Sequence, residues 1–313
     1  MTKSGLGPAG GGSPQLDGLL DVPGLLALVG QPDVCILDCR YDLLRAELGL
    51  EQYRQAHIPG AFFAHLDRDL SGVKDGGNGR HPLPEPQALV TRLRSWGVRS
   101  TTRVIAYDAS ESSFAARAWW LLRWLGHERV AVLDGGWPAW LAAGGPTSTR
   151  EPVAEPGDIV RRPALQATVS LESVVALVQA AQSQSRPQGS AAAAGPARRI
   201  VDARAPDRYE GRNETVDPVA GHIPGAVNRF WKLNLDERGR FKTPEQLHAE
   251  YAAILAGLPA DVLVLQCGSG VTACHDLLAL HLARLPGAAL FPGSWSQWVA
   301  DPSRPVALGP APG

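Results

Sequence analysis

The chain has 313 residues, 44% of them hydrophobic and 19% charged, with a formal net charge of −1 at pH 7. That length is comfortable for two domains, and a near-zero charge gives no footing for a nucleic acid or a membrane surface as partner. No apolar run approaches the roughly 18–20 residues of a membrane-spanning helix, and four cysteines in so long a chain do not make a disulfide framework, so a reducing cytoplasm is the expected setting.

In chain order, the Gly-rich stretch Met1 to Ser13 has no apolar core like that of a secretory signal and reads as a disordered tail, set at residues 1–16. Asp21 is placed to cap a helix with Pro23 in its first turn and Gly30 closing it. Val34 to Leu37 reads as a short buried strand, Glu85 to Trp96 as a helix, Arg103 to Tyr107 as a strand, Phe114 to Leu125 as a helix and Val130 to Leu133 as a strand again. Gly144 to Pro163 is rich in Pro, Gly, Ser and Thr and marks a linker, set at residues 146–166. Beyond it the alternation returns: helix signals at Ser170 to Ala181, Pro244 to Leu255 and Ala273 to Leu285, strand signals at Ile200-Val201, Val262 to Leu265 and Ala288 to Phe291. The polar stretch Gln182 to Ala197 reads as a flexible insertion. Short apolar strands between helices predict an α/β fold with mainly parallel sheets covered on both faces.

The chain is written twice. His57-Ile58-Pro59-Gly60-Ala61 returns as His222-Ile223-Pro224-Gly225-Ala226, and Leu37-Asp38-Cys39-Arg40 returns as Val201-Asp202-Ala203-Arg204. The Asp-to-His separation is 19 residues in the first copy and 20 in the second. Asp134-Gly135-Gly136-Trp137 returns as Pro292-Gly293-Ser294-Trp295. A period of about 160 residues is too long for a solenoid and implies duplicated domains, set at 17–145 and 167–303. Because His57 and His222 occur in both copies, they read as structural braces, and Trp137, Trp140, Trp295 and Trp298 as packing residues.

One feature is not duplicated. Cys267-Gly268-Ser269-Gly270-Val271-Thr272-Ala273 follows the apolar run Val262 to Leu265 and precedes a helix. Glycines let the backbone curl around the sulfur, and converging N–H groups at a helix N-terminus favour a thiolate. Cys267 is therefore the candidate nucleophile. Cys35 and Cys39 read as inert, and Cys274, about two helical turns further, as packed. The cysteines lack zinc-ligand spacing, so no metal and no cofactor is expected. Six residues after Cys267 stands Ala273, not the Arg of a Cys-x5-Arg phosphate loop.

The repeated His-Ile-Pro-Gly-Ala, the closing Gly-x-Trp motifs and the Cys267 loop resemble the two-domain sulfurtransferases of the rhodanese family, over roughly residues 17 to 300. The resemblance implies two tandem rhodanese-like domains with the reactive cysteine in the second alone. The first half agrees: Asp108-Ala109-Ser110 follows its strand, without a cysteine, so that half is expected to be catalytically silent. The loop Gly268 to Ala273 is similar to the 3-mercaptopyruvate branch. Thiosulfate-using relatives, the alternative, typically place basic residues there. Membership of the mercaptopyruvate branch implies a Ser–His–Asp relay at Ser269, His81 and Asp67, with Gly268, Gly270, Val271 and Thr272 cradling the donor. It also implies two arginines for the substrate carboxylate. Arg208 matches the first; the second position, nine residues further, is Asp217, and Arg212 does not match it. The implied chemistry is a persulfide on Cys267, formed from a small-molecule donor and handed to thioredoxin, glutathione or cyanide.

Overall fold

The computed structural model describes residues 17–184 and 198–313. In the first half, β1 (Gly18–Leu20), α1 (Val22–Leu26), β2 (Val34–Asp38), α2 (Leu48–Gln55), β3 (Ala61–Phe63), α3 (Pro86–Ser95), β4 (Arg103–Tyr107), α4 (Ala115–Trp124), β5 (Val130–Leu133) and α5 (Gly136–Ala142) follow one another. The second half runs β6 (Ala167–Thr168), α6 (Leu171–Gln184), β7 (Arg199–Asp202), α7 (Pro206–Tyr209), β8 (Val227–Asn228), α8 (Pro244–Leu255), β9 (Leu263–Gln266), α9 (Ala273–Leu282), β10 (Ala289–Leu290) and α10 (Ser294–Trp298). The first sheet has the order β1-β5-β4-β2-β3 and the second β6-β10-β9-β7-β8, with every pairing parallel. The two orders coincide strand for strand, which is the duplication in three dimensions. The central strands β4 and β9 are buried at every residue, as a parallel sheet covered on both faces requires.

Local chemistry sets the helix starts. The Asp21 carboxylate accepts from the Gly24 N–H at 2.8 Å ahead of α1, which is only five residues long and gives way to turns before Gly30. Glu85 caps α3 ahead of Pro86, and Thr243 with Gln246 forms a capping box ahead of Pro244 on α8. The short strands β1, β3, β6 and β8 carry no readable alternation; they are strands because their neighbours pair with them. The polar insertion expected at Gln182 to Ala197 falls, from residue 185 onward, outside the described residues, and α6 continues to Gln184.

The repeated motifs form a scaffold. In the first half Asp38 and Arg40 make a buried two-pronged pair (Nε–Oδ1 3.0 Å, Nη2–Oδ2 2.6 Å), and the guanidinium lies 4.6 Å over the Trp137 ring. Asp202, Arg204 and Trp295 repeat this at 3.1, 2.6 and 4.7 Å. His57 stacks on Tyr53, and its Nδ1 and Nε2 lie 2.7 and 3.1 Å from the Tyr53 and Arg150 carbonyls; as both are acceptors, the neutral ring's single N–H can donate to one of them at a time. His222 does the same with Tyr209 and Pro312. Residues beyond 303 stay with the second half, since the Ala307 and His222 backbones exchange hydrogen bonds. The segment 148–150 treats His57 likewise.

The two halves share one apolar core. It is centred on α4 and α9, helices buried nearly all round, which meet between the sheets. Trp119 and Trp120 are fully buried there. No helix among the described residues is long and apolar enough to cross a membrane.

Candidate active site

Cys267 lies where β9 ends and the turn into α9 begins, and is 2% exposed. The loop is tied from behind: the Cys267 N–H donates to Ser294 Oγ at 3.1 Å, and its carbonyl accepts from the Trp295 N–H at 3.0 Å. Gly270 has φ +74°, and a Cβ there would run into the Pro292 carbonyl. From Gly268 to Ala273 no backbone N–H has a partner among the described residues. These unpartnered donors belong to the turn between Cys267 and the buried helix α9, which it leads into.

The first half shows what such a loop holds. Asp108 follows β4 as Cys267 follows β9, and its carbonyl accepts from the Trp137 N–H at 2.7 Å, as that of Cys267 does from Trp295. Its fully buried carboxylate accepts from the N–H groups of Ser110, Ser112, Phe114 and Ala115 at 2.7, 3.0, 2.8 and 2.8 Å. Burial raises this carboxyl above its ordinary value although those four donors pull it down. The first half thus fills its own anion nest with a side chain, while the second half leaves the corresponding donors around a cysteine.

Ser269, His81 and Asp67 come together across the two halves. His81 Nδ1 lies 2.7 Å from Ser269 Oγ, and Nε2 lies 3.6 Å from Asp67 Oδ1. Burial, with Arg80 and Arg117 nearby, holds His81 well below the ordinary imidazole value although Asp67 pulls the other way, so the ring is neutral at neutral pH. A neutral ring with its proton on Nε2, facing Asp67, accepts the Ser269 hydroxyl at Nδ1. Burial raises Asp67, but hydrogen bonds from Lys74 (2.8 Å) and from Tyr41, together with His81, outweigh it and leave the carboxyl below its usual range.

Arg208 lines a cleft of about 620 Å³ together with Cys267, Gly268, Ser269, Val271 and Thr272, whereas His81, Asp67 and Gly270 stand behind its wall. Its guanidinium forks onto Glu214 (Nε–Oε2 3.1 Å, Nη2–Oε1 2.8 Å) and reaches Asp217 at 3.1 Å. Arg212 is mostly exposed, pairs with Glu210 and does not enter the cleft. Cys35, Cys39 and Cys274 are buried; burial pushes the Cys35 and Cys274 thiols up to about 12 and Cys39 well above its ordinary value. His57 and His222 lie outside the cleft. Among the described residues no group of His, Cys, Asp and Glu stands together as a metal site.

Comparison with known proteins agrees with this architecture. The rhodanese-like domain family matches twice, at residues 22–143 and 186–301. The chain belongs to the rhodanese-like family. A Pseudomonas aeruginosa protein named "probable 3-mercaptopyruvate sulfurtransferase" is 46% identical over 93% of this chain and 98% of its own length. The Gallus gallus thiosulfate sulfurtransferase is 32% identical over 79% of this chain and 80% of its own. The solved 3-mercaptopyruvate sulfurtransferase of Leishmania major superposes with a TM-score of 0.75 at 27% identity, covering 89% of this chain and 73% of that one. This rhodanese-like chain is an enzyme, a sulfurtransferase.

Four side chains of this rhodanese site carried no role in the sequence. Tyr41 lines the cleft and hydrogen-bonds Asp67. Arg117, fully buried on α4, donates to the carbonyls of Gly270 at 3.0 Å and His81 at 3.2 Å, tying the Cys267 loop to the His81 segment. Lys232 reaches across the mouth to Glu111 at 2.5 Å. Arg80 stands beside Arg208. Only Arg80, next to His81, had a sequence signal.

Proposed function

We propose that the protein takes sulfur from 3-mercaptopyruvate and passes it to a thiol or to cyanide through a persulfide on Cys267. The observation that carries this reading is the Ser269–His81 hydrogen bond, two residues from Cys267 and supplied by the opposite half. The Cys267 thiolate attacks the substrate sulfur and an S–S bond forms. The C–S bond breaks, and its electron pair goes to carbon to give the enolate of pyruvate. The substrate's thiol proton moves through Ser269 and neutral His81 and returns to the enolate carbon. The outer sulfur's negative charge is met by the unpartnered N–H groups of Gly268 to Ala273. An acceptor thiolate, such as that of thioredoxin or glutathione, or cyanide, then attacks the outer sulfur and Cys267 leaves as thiolate. The first half, catalytically silent, contributes His81 and Asp67. Four free, buried cysteines suit a reducing cytoplasm.

A second reading, thiosulfate as donor, is favoured by one observation: four basic side chains, Arg80, Arg204, Arg208 and Lys232, line the cleft against two acidic ones, Asp42 and Glu111, although each of the four already pairs with a carboxylate. Steady-state transfer to cyanide with both donors, beside Cys267→Ala, decides. Preference for mercaptopyruvate with an inactive Cys267→Ala is expected. A thiosulfate preference, or an active Cys267→Ala, would overturn the proposal.

A further inference from the structure

The family's second carboxylate-binding arginine is replaced in this chain by Asp217. The position is not simply vacated. Arg80 arrives from the other half, with its backbone N–H anchored on Ser296 Oγ at 2.9 Å, and its Nη1 pairs with Asp217. The Asp217 side chain is 2% exposed and stands behind the cleft, whereas Arg80 and Arg208 line it. Asp217 therefore grips two guanidiniums at once, Arg80 through Oδ1 and Arg208 through Oδ2. Both point at the same place: a Cβ on Gly268, the neighbour of Cys267, would lie 2.9 Å from Arg80 Nη2 and 3.6 Å from Arg208 Nη2.

The cleft's three arginines differ in what they have left to give. Arg204 is forked onto Asp202 with both Nε and Nη2. Arg208 is forked onto Glu214. Arg80 engages a protein side chain through Nη1 alone, and its Nε is buried with no partner. A buried guanidinium nitrogen without an acceptor is costly unless something supplies one. The side chain with the most unspent donors thus has its Nη2 beside Gly268, the neighbour of Cys267.

We propose that Arg80 is a substrate-binding residue that takes the role of the missing second arginine, and that Asp217 is its positioning residue. The ligand class is a short 2-oxo carboxylate, held by two guanidiniums contributed by different halves. The inference rests on the mercaptopyruvate reading above, and its test separates the two.

The test is steady-state kinetics of Arg80→Met, Arg80→Lys, Asp217→Asn and the Arg80→Met/Asp217→Asn double variant, with both donors and with melting temperatures as folding controls. In Arg80→Met, KM for mercaptopyruvate should rise by about 10- to 100-fold, the worth of a lost charged hydrogen bond, while kcat stays within about threefold. Arg80→Lys keeps the charge but loses the fork, and should raise KM by about three- to tenfold. Asp217→Asn should raise KM similarly, and the double variant should fall short of the product of the singles, because Asp217 acts partly through Arg80. A merely structural clamp would lower melting temperature without this KM-against-kcat split. If the parent enzyme uses mercaptopyruvate and KM in folded Arg80→Met and Arg80→Lys stays within about twofold, the role of Arg80 is refuted and the donor assignment stands. If the parent enzyme does not use mercaptopyruvate at all, the donor assignment falls and this inference falls with it.

Discussion

Ser269 and His81 show how much one contact decides at the scale of the residue. The hydroxyl is two positions from the cysteine, and the imidazole that accepts it comes from 188 positions earlier in the chain. Ser269→Ala should lower kcat with mercaptopyruvate by about 10²-fold, the size of a lost acid–base group, and lower thiosulfate turnover far less. Parallel assays with the two donors check this; equal losses would refute the relay. Because burial keeps His81 neutral, its protonation should add no acid limb to kcat/KM between about pH 5.5 and 8. A limb near the ordinary imidazole value that vanishes in His81→Ala would contradict the assignment. Cys267 was legible as a residue, since a cysteine between strand and helix, with two glycines in the three residues after it, has few other uses, whereas Ser269 took its role from the resemblance. His81 and Asp67 were found by resemblance alone. Tyr41, Arg80 and Arg117 acquire meaning only from what they face.

At the scale of the element, the same strand–turn–helix is built twice and used in two ways. The Asp108 loop closes on its own carboxylate, with Glu111 and Ser112 held at φ 58° and 67°. Asp108→Ala would leave four N–H groups unpaired, three of them buried, and should cost roughly 2–4 kcal/mol in denaturant unfolding. An unchanged midpoint would refute the nest as a stabilising device. The Cys267 loop instead depends on close approach. Gly270→Ala puts a side chain at positive φ against the Pro292 carbonyl, and should cost about 1–3 kcal/mol of stability and most of the activity. Near-normal turnover in that variant would show that the loop's curvature is not needed. Glycines and the cysteine announced this loop in the sequence; the nest around Asp108 did not show, because nothing in Asp108-Ala109-Ser110 signals that a carboxylate turns back on its own turn.

At the scale of the whole molecule, burial of histidines between and within the halves sets the response to acid. Burial holds His275 at about 3 and His281 at about 4, and lowers His65, His81 and His127 as well. In the unfolded chain these rings take up protons near pH 6.5. Below that the unfolded state binds more protons than the native one, so stability falls as pH falls. Asp276 works in the opposite sense, because burial raises it to about 6 and the native state then holds the extra proton. Burial also raises Asp108, Asp134 and Asp217, which act in the same sense as Asp276; the five histidines outnumber these carboxyls and start from an ordinary value inside the window, which predicts a denaturation midpoint that drops from pH 7 to pH 5, as a urea titration at the two values would show. A midpoint that holds or rises would overturn this account.

Duplication, the α/β class, the order of the longer helices and of the inner strands, and the candidate nucleophile were all readable from the sequence alone, because they rest on local periodicity, turn chemistry and a repeat that can be read along one line; α2, α5, α7, α10 and the short strands β1, β3, β6 and β8 were not. The repeated residues proved to be scaffold: the Asp38–Arg40 and Asp202–Arg204 pairs, and the two histidines stacked on tyrosines. What is chemical is what differs between the copies, Asp108 against Cys267. The pairing of edge strands, the meeting of Ser269 with His81, the clamp of Arg117 and the placing of Arg80 opposite Asp217 were decided only in the tertiary structure. The physical reason is that α4 and α9 bury each other, and this packing brings residues far apart in the chain to within hydrogen-bond reach, where charge and geometry rather than sequence spacing select their partners.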